Sequence, residues 1–163
     1  MHKNKTRAAL ALAAALMLPP LAAGASGAAQ AKQLERGRYL VMIGGCNDCH
    51  TANYGPREGK VPPNEWLLGS GPFGFRGPWG TTYPANLRLT LDKLTENQWV
   101  KYARSLKTRP PMPWFTLNAM HESDLRAIYR FVKSLGPAGQ PAHPYLAPGR
   151  EPKPPYAQWP MGS

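Results

Sequence analysis

The chain predicts an all-α domain of three main helices joined by long loops. Three segments carry apolar residues at helical spacing, and no stretch alternates with the period of a half-buried strand. Between the helices lie loops that hold much of the chain's 16 Gly and 19 Pro, which break both helix and strand.

The first helix is expected over residues 33–43, QLERGRYLVMI, with Leu34, Tyr39, Leu40, Met42 and Ile43 as its apolar positions and Gly44-Gly45 as its stop. The second lies in LTENQWVKYARSLK, where Thr95 and Gln98 make a capping box and Trp99, Val100, Ala103 and Leu106 form one stripe. The third, residues 122–135, opens with Glu122 and Asp124, buries Leu125, Ile128, Phe131, Val132 and Leu135, and stops at Gly136-Pro137.

Residues 51–91 show neither period for long. So extended a loop inside a compact domain is reasonable where it packs on something other than the chain itself, such as a cofactor. Residues 136–163 hold eight prolines and predict an extended arm, with Tyr145, Tyr156 and Trp159 apolar enough to lie against the domain.

Residues 1–31 have the form of an export signal that is removed. His2, Lys3, Lys5 and Arg7 precede an apolar run from Ala8 to Leu18, and Ala29-Gln30-Ala31 offers small-x-small cleavage. The run is shorter than a membrane span needs, which favours removal over a retained anchor, and no second apolar run follows, so the mature chain is expected to have no transmembrane segment and to reside in the periplasm. The divisions are then a signal over 1–31, one domain over 32–135 and the arm over 136–163. Losing Lys3, Lys5 and Arg7 lowers the net charge from +11 to +8. In an exported chain with scattered basic residues this suits a basic face for an acidic protein partner, or a merely well-solvated surface, better than nucleic acid.

The two cysteines, Cys46 and Cys49, stand in GGCNDCH. Cys-x-x-Cys-His is the spacing of c-type haem attachment: two thiols on one helical turn can each form a thioether, and the adjacent His50 is held beneath the iron. Three other uses compete. A redox dithiol would want a preceding strand and a βαβ context. A zinc site would need a fourth ligand, for which His121 or His143 are candidates. An inert buried pair leaves the export signal and the long loop unexplained.

A haem ligated by His50 needs a sixth ligand from Met112, Met120, His121 or His143, or has an open site. Met112, in TRPPMPWFTLNAM, is the expected one. Pro111 and Pro113 stiffen its backbone, and Trp114 and Phe115 are expected to dock the strap. Met120 is the lesser alternative, more simply explained as an apolar staple to the last helix.

ERGRYLVMIGGCNDCH, GPWGTTYPANL and RPPMPWFTLNAMHESDLRAIYRFVKSL together resemble the class I c-type monohaem cytochromes. They are most similar to the cytochrome c subunits or domains of alcohol and aldehyde dehydrogenases. The resemblance implies a class I cytochrome c-like fold around one covalently attached haem c. It implies a crossing of the first and last helices at Gly37 and Tyr129, and a bond from the carbonyl of Pro62 or Pro63 to the His50 imidazole. It also places Tyr83, Asn86 and Trp79 at the haem edge or propionates. The implied function is electron transfer, not enzymatic catalysis, from a dehydrogenase toward an oxidase or other cytochrome, with His50 and Met112 as axial ligands. A haem enzyme or gas sensor with an open sixth site is the alternative. The chain departs from the family in having a single motif where many relatives have several, and in placing His121 where a capping serine is usual.

Overall fold

The computed structural model describes residues 22–160. The basic start and the apolar run of the expected export signal lie outside the described residues. Among the described residues there are six helices and a three-stranded sheet, so the chain is mixed α/β and the all-α expectation is corrected.

The first helix, α1, runs from Ala22 to Ile43, well ahead of its expected start and through Ala29-Gln30-Ala31. Residues 27–32 are exposed and Gly37 is the first buried position, so α1 packs only through its second half. Its buried face is Gly37, Leu40 and Val41, while Tyr39, Met42 and Ile43 form a second stripe at helical spacing that faces outward. The sequence offers two apolar faces here. The crossing with α6 (Glu122–Ser134) selects between them.

That crossing depends on a missing side chain. A β-carbon at Gly37 would lie 2.1 Å from the Ala127 carbonyl oxygen and 2.7 Å from the β-carbon of Phe131. Gly37 is thus at the crossing, but its partners are Ala127 and Phe131 and not Tyr129. The Tyr129 hydroxyl instead donates to the Leu94 carbonyl at 2.7 Å. Arg36 closes the same interface with a two-pronged ion pair to Asp124 at 3.0 and 3.1 Å.

The helix α4 (Glu96–Ser105) has the expected capping box at Thr95 and Gln98 and buries Trp99, Val100 and Ala103. It lies on α6, where the Trp99 indole donates to the Leu125 carbonyl at 2.8 Å and Glu96 meets both Arg126, at 3.1 Å, and Arg130, at 3.0 Å. Three short helices were not anticipated as such: α2 (Cys46–His50), α3 (Leu87–Asp92) and α5 (Trp114–Ala119). From α3 the buried Arg88 donates to the carbonyls of Leu135 and Gly136, capping the C-terminal end of α6, and to Asn64 at 2.8 Å. Burial holds its pKa below the ordinary value, and carbonyl dipoles are its only partners among the described residues.

The sheet is built from β1 (Gly74–Gly77), β2 (Gly80–Thr82) and β3 (Tyr156–Gln158), in the order β2-β1-β3. The first two form an antiparallel hairpin with Phe75 opposite Thr82. The C-terminal arm supplies the rest: β3 runs parallel to β1 with Gly74 opposite Tyr156, and Leu146 exchanges two backbone bonds with Thr81 on β2, at 2.8 and 3.0 Å. Gly80, at φ +93°, permits this approach, because a β-carbon there would sit 2.2 Å from the Leu146 carbonyl oxygen. Phe75 and Trp79 both stack edge-on against Trp159. Strands this short carry no readable alternation, and their pairing is dictated by backbone bonds to a distant segment.

Replacing Gly37 with Val should force α1 and α6 apart and lower unfolding free energy by about 1–3 kcal/mol or more, read as a drop in denaturant midpoint. A second expectation concerns acid. Burial pushes the Glu96 carboxyl up, but the Arg130 and Arg126 bonds outweigh it and hold the group below its ordinary range. A depressed carboxylate contributes stability above its unfolded pKa of ~4.3, and that contribution is lost as pH falls through the folded value. Glu96→Gln should therefore cost about 1 kcal/mol at pH 7 and less as pH falls toward 3, measured by denaturation at several pH values.

Candidate functional site

A largely apolar cavity of about 290 Å³ opens beside α2 and is floored by Ile128 and Val132 of α6. Its walls come from the end of α1, the segment 82–85, α4, the strap 108–113, α5 and the C-terminal arm. The volume is near the lower end of the ~300–1,000 Å³ typical of small-molecule pockets.

The helix α2 has only five residues and cannot be stable by itself. Bonds from outside hold it. Thr51 donates to the Asn47 side chain at 2.7 Å and accepts from the Leu67 amide at 2.8 Å, with Asn47, Thr51 and Leu67 all buried. The Gly69 amide adds a bond to the His50 carbonyl at 2.8 Å. Cys46, Cys49 and His50 are thereby presented together as part of the cavity wall.

The His50 ring nitrogen Nδ1 lies 2.7 Å from the Ala85 carbonyl oxygen. A carbonyl can only accept, so Nδ1 carries the hydrogen and Nε2 keeps its lone pair, the form in which imidazole ligates a metal. Burial holds the His50 pKa below its ordinary value, against the opposing effect of the Ala85 bond. The carbonyl in this role is Ala85 and not Pro62 or Pro63. Pro62 is exposed, and its carbonyl accepts from the Glu65 amide at 2.9 Å.

Both cysteines are unpaired thiols. Burial pushes Cys46 up to about 11, helped by the nearby Asp48 and Cys49, and burial with Asp48 raises Cys49. Thiols held protonated at neutral pH lack the thiolate character of a catalytic dithiol. The competing zinc reading gains no support: among the described residues no group of three His, Cys, Asp or Glu side chains is arranged to hold a metal ion.

Of the four candidate sixth ligands, Met112, Met120 and His143 line the cavity and His121 does not. His121 is the residue before α6 and makes no side-chain cap. The Met112 strap is tied down on two sides. Thr82 donates to the Pro110 carbonyl at 2.8 Å, and the Arg109 guanidinium lies 3.6 Å over the Tyr145 ring centroid. Phe115, expected to dock the strap, is 62% exposed; α5 is held instead by the Asn118 amide, which donates to the Ala103 carbonyl at 2.6 Å. Met120 packs against the main core as well as lining the cavity.

The three expected edge residues separate. Tyr83 lines the cavity with its ring tilted against His143 at 5.4 Å. Asn86 does not line it, and its side chain is committed elsewhere. It caps α3 by accepting from the Leu89 amide at 3.1 Å, and it donates to the arm carbonyls of Ala138 and Gln140 at 2.8 and 3.2 Å. Trp79 also stands outside the lining, with its indole N–H buried and without an acceptor, while its carbonyl accepts from the Tyr145 hydroxyl at 2.8 Å. Sequence patterning missed the site roles of Ala85, Thr82, Arg109 and Tyr145, the last expected only to lie against the domain. The first acts through its backbone and the others through pairings distant in the chain.

The donor set fits a covalently attached haem. Two cysteines outside any disulfide at Cys-x-x-Cys spacing, an imidazole with its tautomer fixed, and two thioethers share one apolar cavity. Each group matches what such a cofactor asks of a protein.

Asn86→Ala should cost about 2–3 kcal/mol, since it removes a helix cap and two arm bonds. The arm should become more sensitive to limited proteolysis at residues 138–143, with the cut site read by mass spectrometry.

No family model, no curated protein and no solved structure matches this chain, so the case for the site rests on its own residues.

Proposed function

We propose that the chain is an exported electron-transfer protein that carries one haem c. On this proposal Cys46 and Cys49 hold the cofactor as thioethers and His50 and Met112 are its axial ligands. The observation that carries the proposal is the convergence of both thiols, the Nδ1-committed imidazole of His50 and a tethered methionine on one apolar cavity. A bound haem supplies a one-electron couple at its iron.

The chain's own residues explain the rest. Ala85 fixes the imidazole's orientation and makes it a better donor. The apolar lining keeps water from the site, and a thioether in place of a second imidazole favours the reduced state, which suits a carrier that takes electrons from a dehydrogenase and yields them to an oxidase or another cytochrome. Met112 is preferred over Met120 because the Thr82 and Arg109 tethers hold its strap from both the sheet and the arm, whereas Met120 is also part of the core.

Partner choice follows from charge. Lys101 and Lys107 are exposed and stand next to the lining residues Tyr102, Leu106 and Thr108, so a basic rim lies beside the cavity. An acidic face on the redox partner is its complement. No helix among the described residues is long and apolar enough to cross a membrane; the proposed periplasmic residence rests on the export-signal form of residues 1–31.

The oxidised protein should show the weak long-wavelength sulfur-to-iron band. Met112→Ala should abolish it and Met120→Ala should keep it; the reverse result would transfer the ligand role to Met120. Reduced wild-type protein should bind carbon monoxide poorly at neutral pH. Rapid binding would instead favour the open-site enzyme or sensor.

A further inference from the structure

The cavity lining contains no Asp, Glu or Lys, and Arg109 is its one residue with a permanent charge. That cation is unusual in its setting. Arg36, Arg38, Arg57, Arg76, Arg104, Arg126 and Arg130 each pair with a carboxylate. Arg109 has neither a carboxylate nor a hydrogen-bond acceptor among the described residues. Its partner is the face of Tyr145, 3.6 Å away, which leaves the in-plane N–H groups of the guanidinium unused.

Both members of the stack are fixed from behind. The Thr82 hydroxyl holds the carbonyl of Pro110, the next residue to Arg109, at 2.8 Å. The Tyr145 hydroxyl donates to the Trp79 carbonyl at 2.8 Å, and Leu146 pairs both ways with Thr81. Strap, hairpin and arm therefore meet at one corner of an otherwise apolar cavity, and this corner presents a fork of free donors. A ligand suited to such a cavity is apolar over most of its surface and acidic at one edge.

We infer that Arg109, stacked on Tyr145, holds a carboxylate at the edge of the bound cofactor, and that the Pro-rich C-terminal arm is a wall of the cofactor site. This rests on the haem proposal above, since haem carries two propionate carboxylates on one edge. It makes Arg109 and Tyr145 positioning residues. The arm then has a function beyond covering the sheet. Its Tyr145 keeps the guanidinium plane oriented, and its His143 closes the lining beside Tyr83.

The test uses the full holoprotein as wild type, Arg109→Lys and Arg109→Gln, each variant being a change at an exposed side chain. Haem that survives denaturation bound to the chain is scored first; its absence from wild type would refute the haem proposal itself. With haem present, the midpoint potential is measured at low and high salt. Loss of a cation that compensates a carboxylate should favour the oxidised state, so Arg109→Gln should shift the oxidised-to-reduced ratio at fixed ambient potential by about 3- to 10-fold, with tenfold corresponding to ~59 mV for one electron. The shift should shrink in high salt, and Arg109→Lys should restore most of it. An unchanged potential in Arg109→Gln would overturn the inference while leaving the haem proposal standing. Equal shifts in Gln and Lys variants would also overturn it, because they would show that only the stack on Tyr145 matters.

Discussion

The rest of the structure depends on the direct contact of two helix backbones at Gly37. With no side chain between them, α1 rests on the Ala127 carbonyl and the Phe131 side chain, and the direction of α1 is thereby set. That direction delivers Cys46, Cys49 and His50 to the edge of a cavity whose floor belongs to the same α6. One absent methyl group thus couples the placement of the ligands to the packing of the core. Arg36–Asp124 and the buried Arg88 secure the two ends of α6, so the floor is restrained at both termini.

Around this crossing the site is assembled from segments far apart in sequence. The imidazole is oriented by residue 85, the strap bearing Met112 is held by residue 82, and the cation on the strap is stacked on residue 145. Each contact joins segments distant in the sequence, and none would form in an isolated peptide. The hairpin is the common support. Thr82 faces the strap, Thr81 pairs with the arm, and Ala85, just beyond, meets the histidine.

The long helices were legible because each has a periodic face and a local boundary signal, as with the Thr95–Gln98 box at a start and Gly136 at a stop. The Cys-x-x-Cys-His motif was legible because its chemistry is written in adjacent residues. What escaped the sequence was set by backbone. Ala85 acts through a carbonyl that any residue could provide, and strands of three or four residues rich in glycine have no alternation to read. Asn86 shows the opposite error. The family resemblance implied a polar contact at the cofactor's edge, but the Leu89 amide of α3 and the arm's carbonyls engage both ends of its side-chain amide. The outer stripe of α1 misled for a related reason, since two apolar faces are offered there and only the tertiary crossing chooses.

The hairpin is covered on both flanks by the arm, with β3 along β1 and Leu146 against β2. An uncovered pair of short strands would offer open backbone groups for pairing with another molecule. Because the covering segments follow the hairpin in the chain, those flanks stay open until residues 146–158 have been made and have docked. Docking of that arm, more than formation of the early helices, is therefore the event that closes the hairpin to edge-to-edge association.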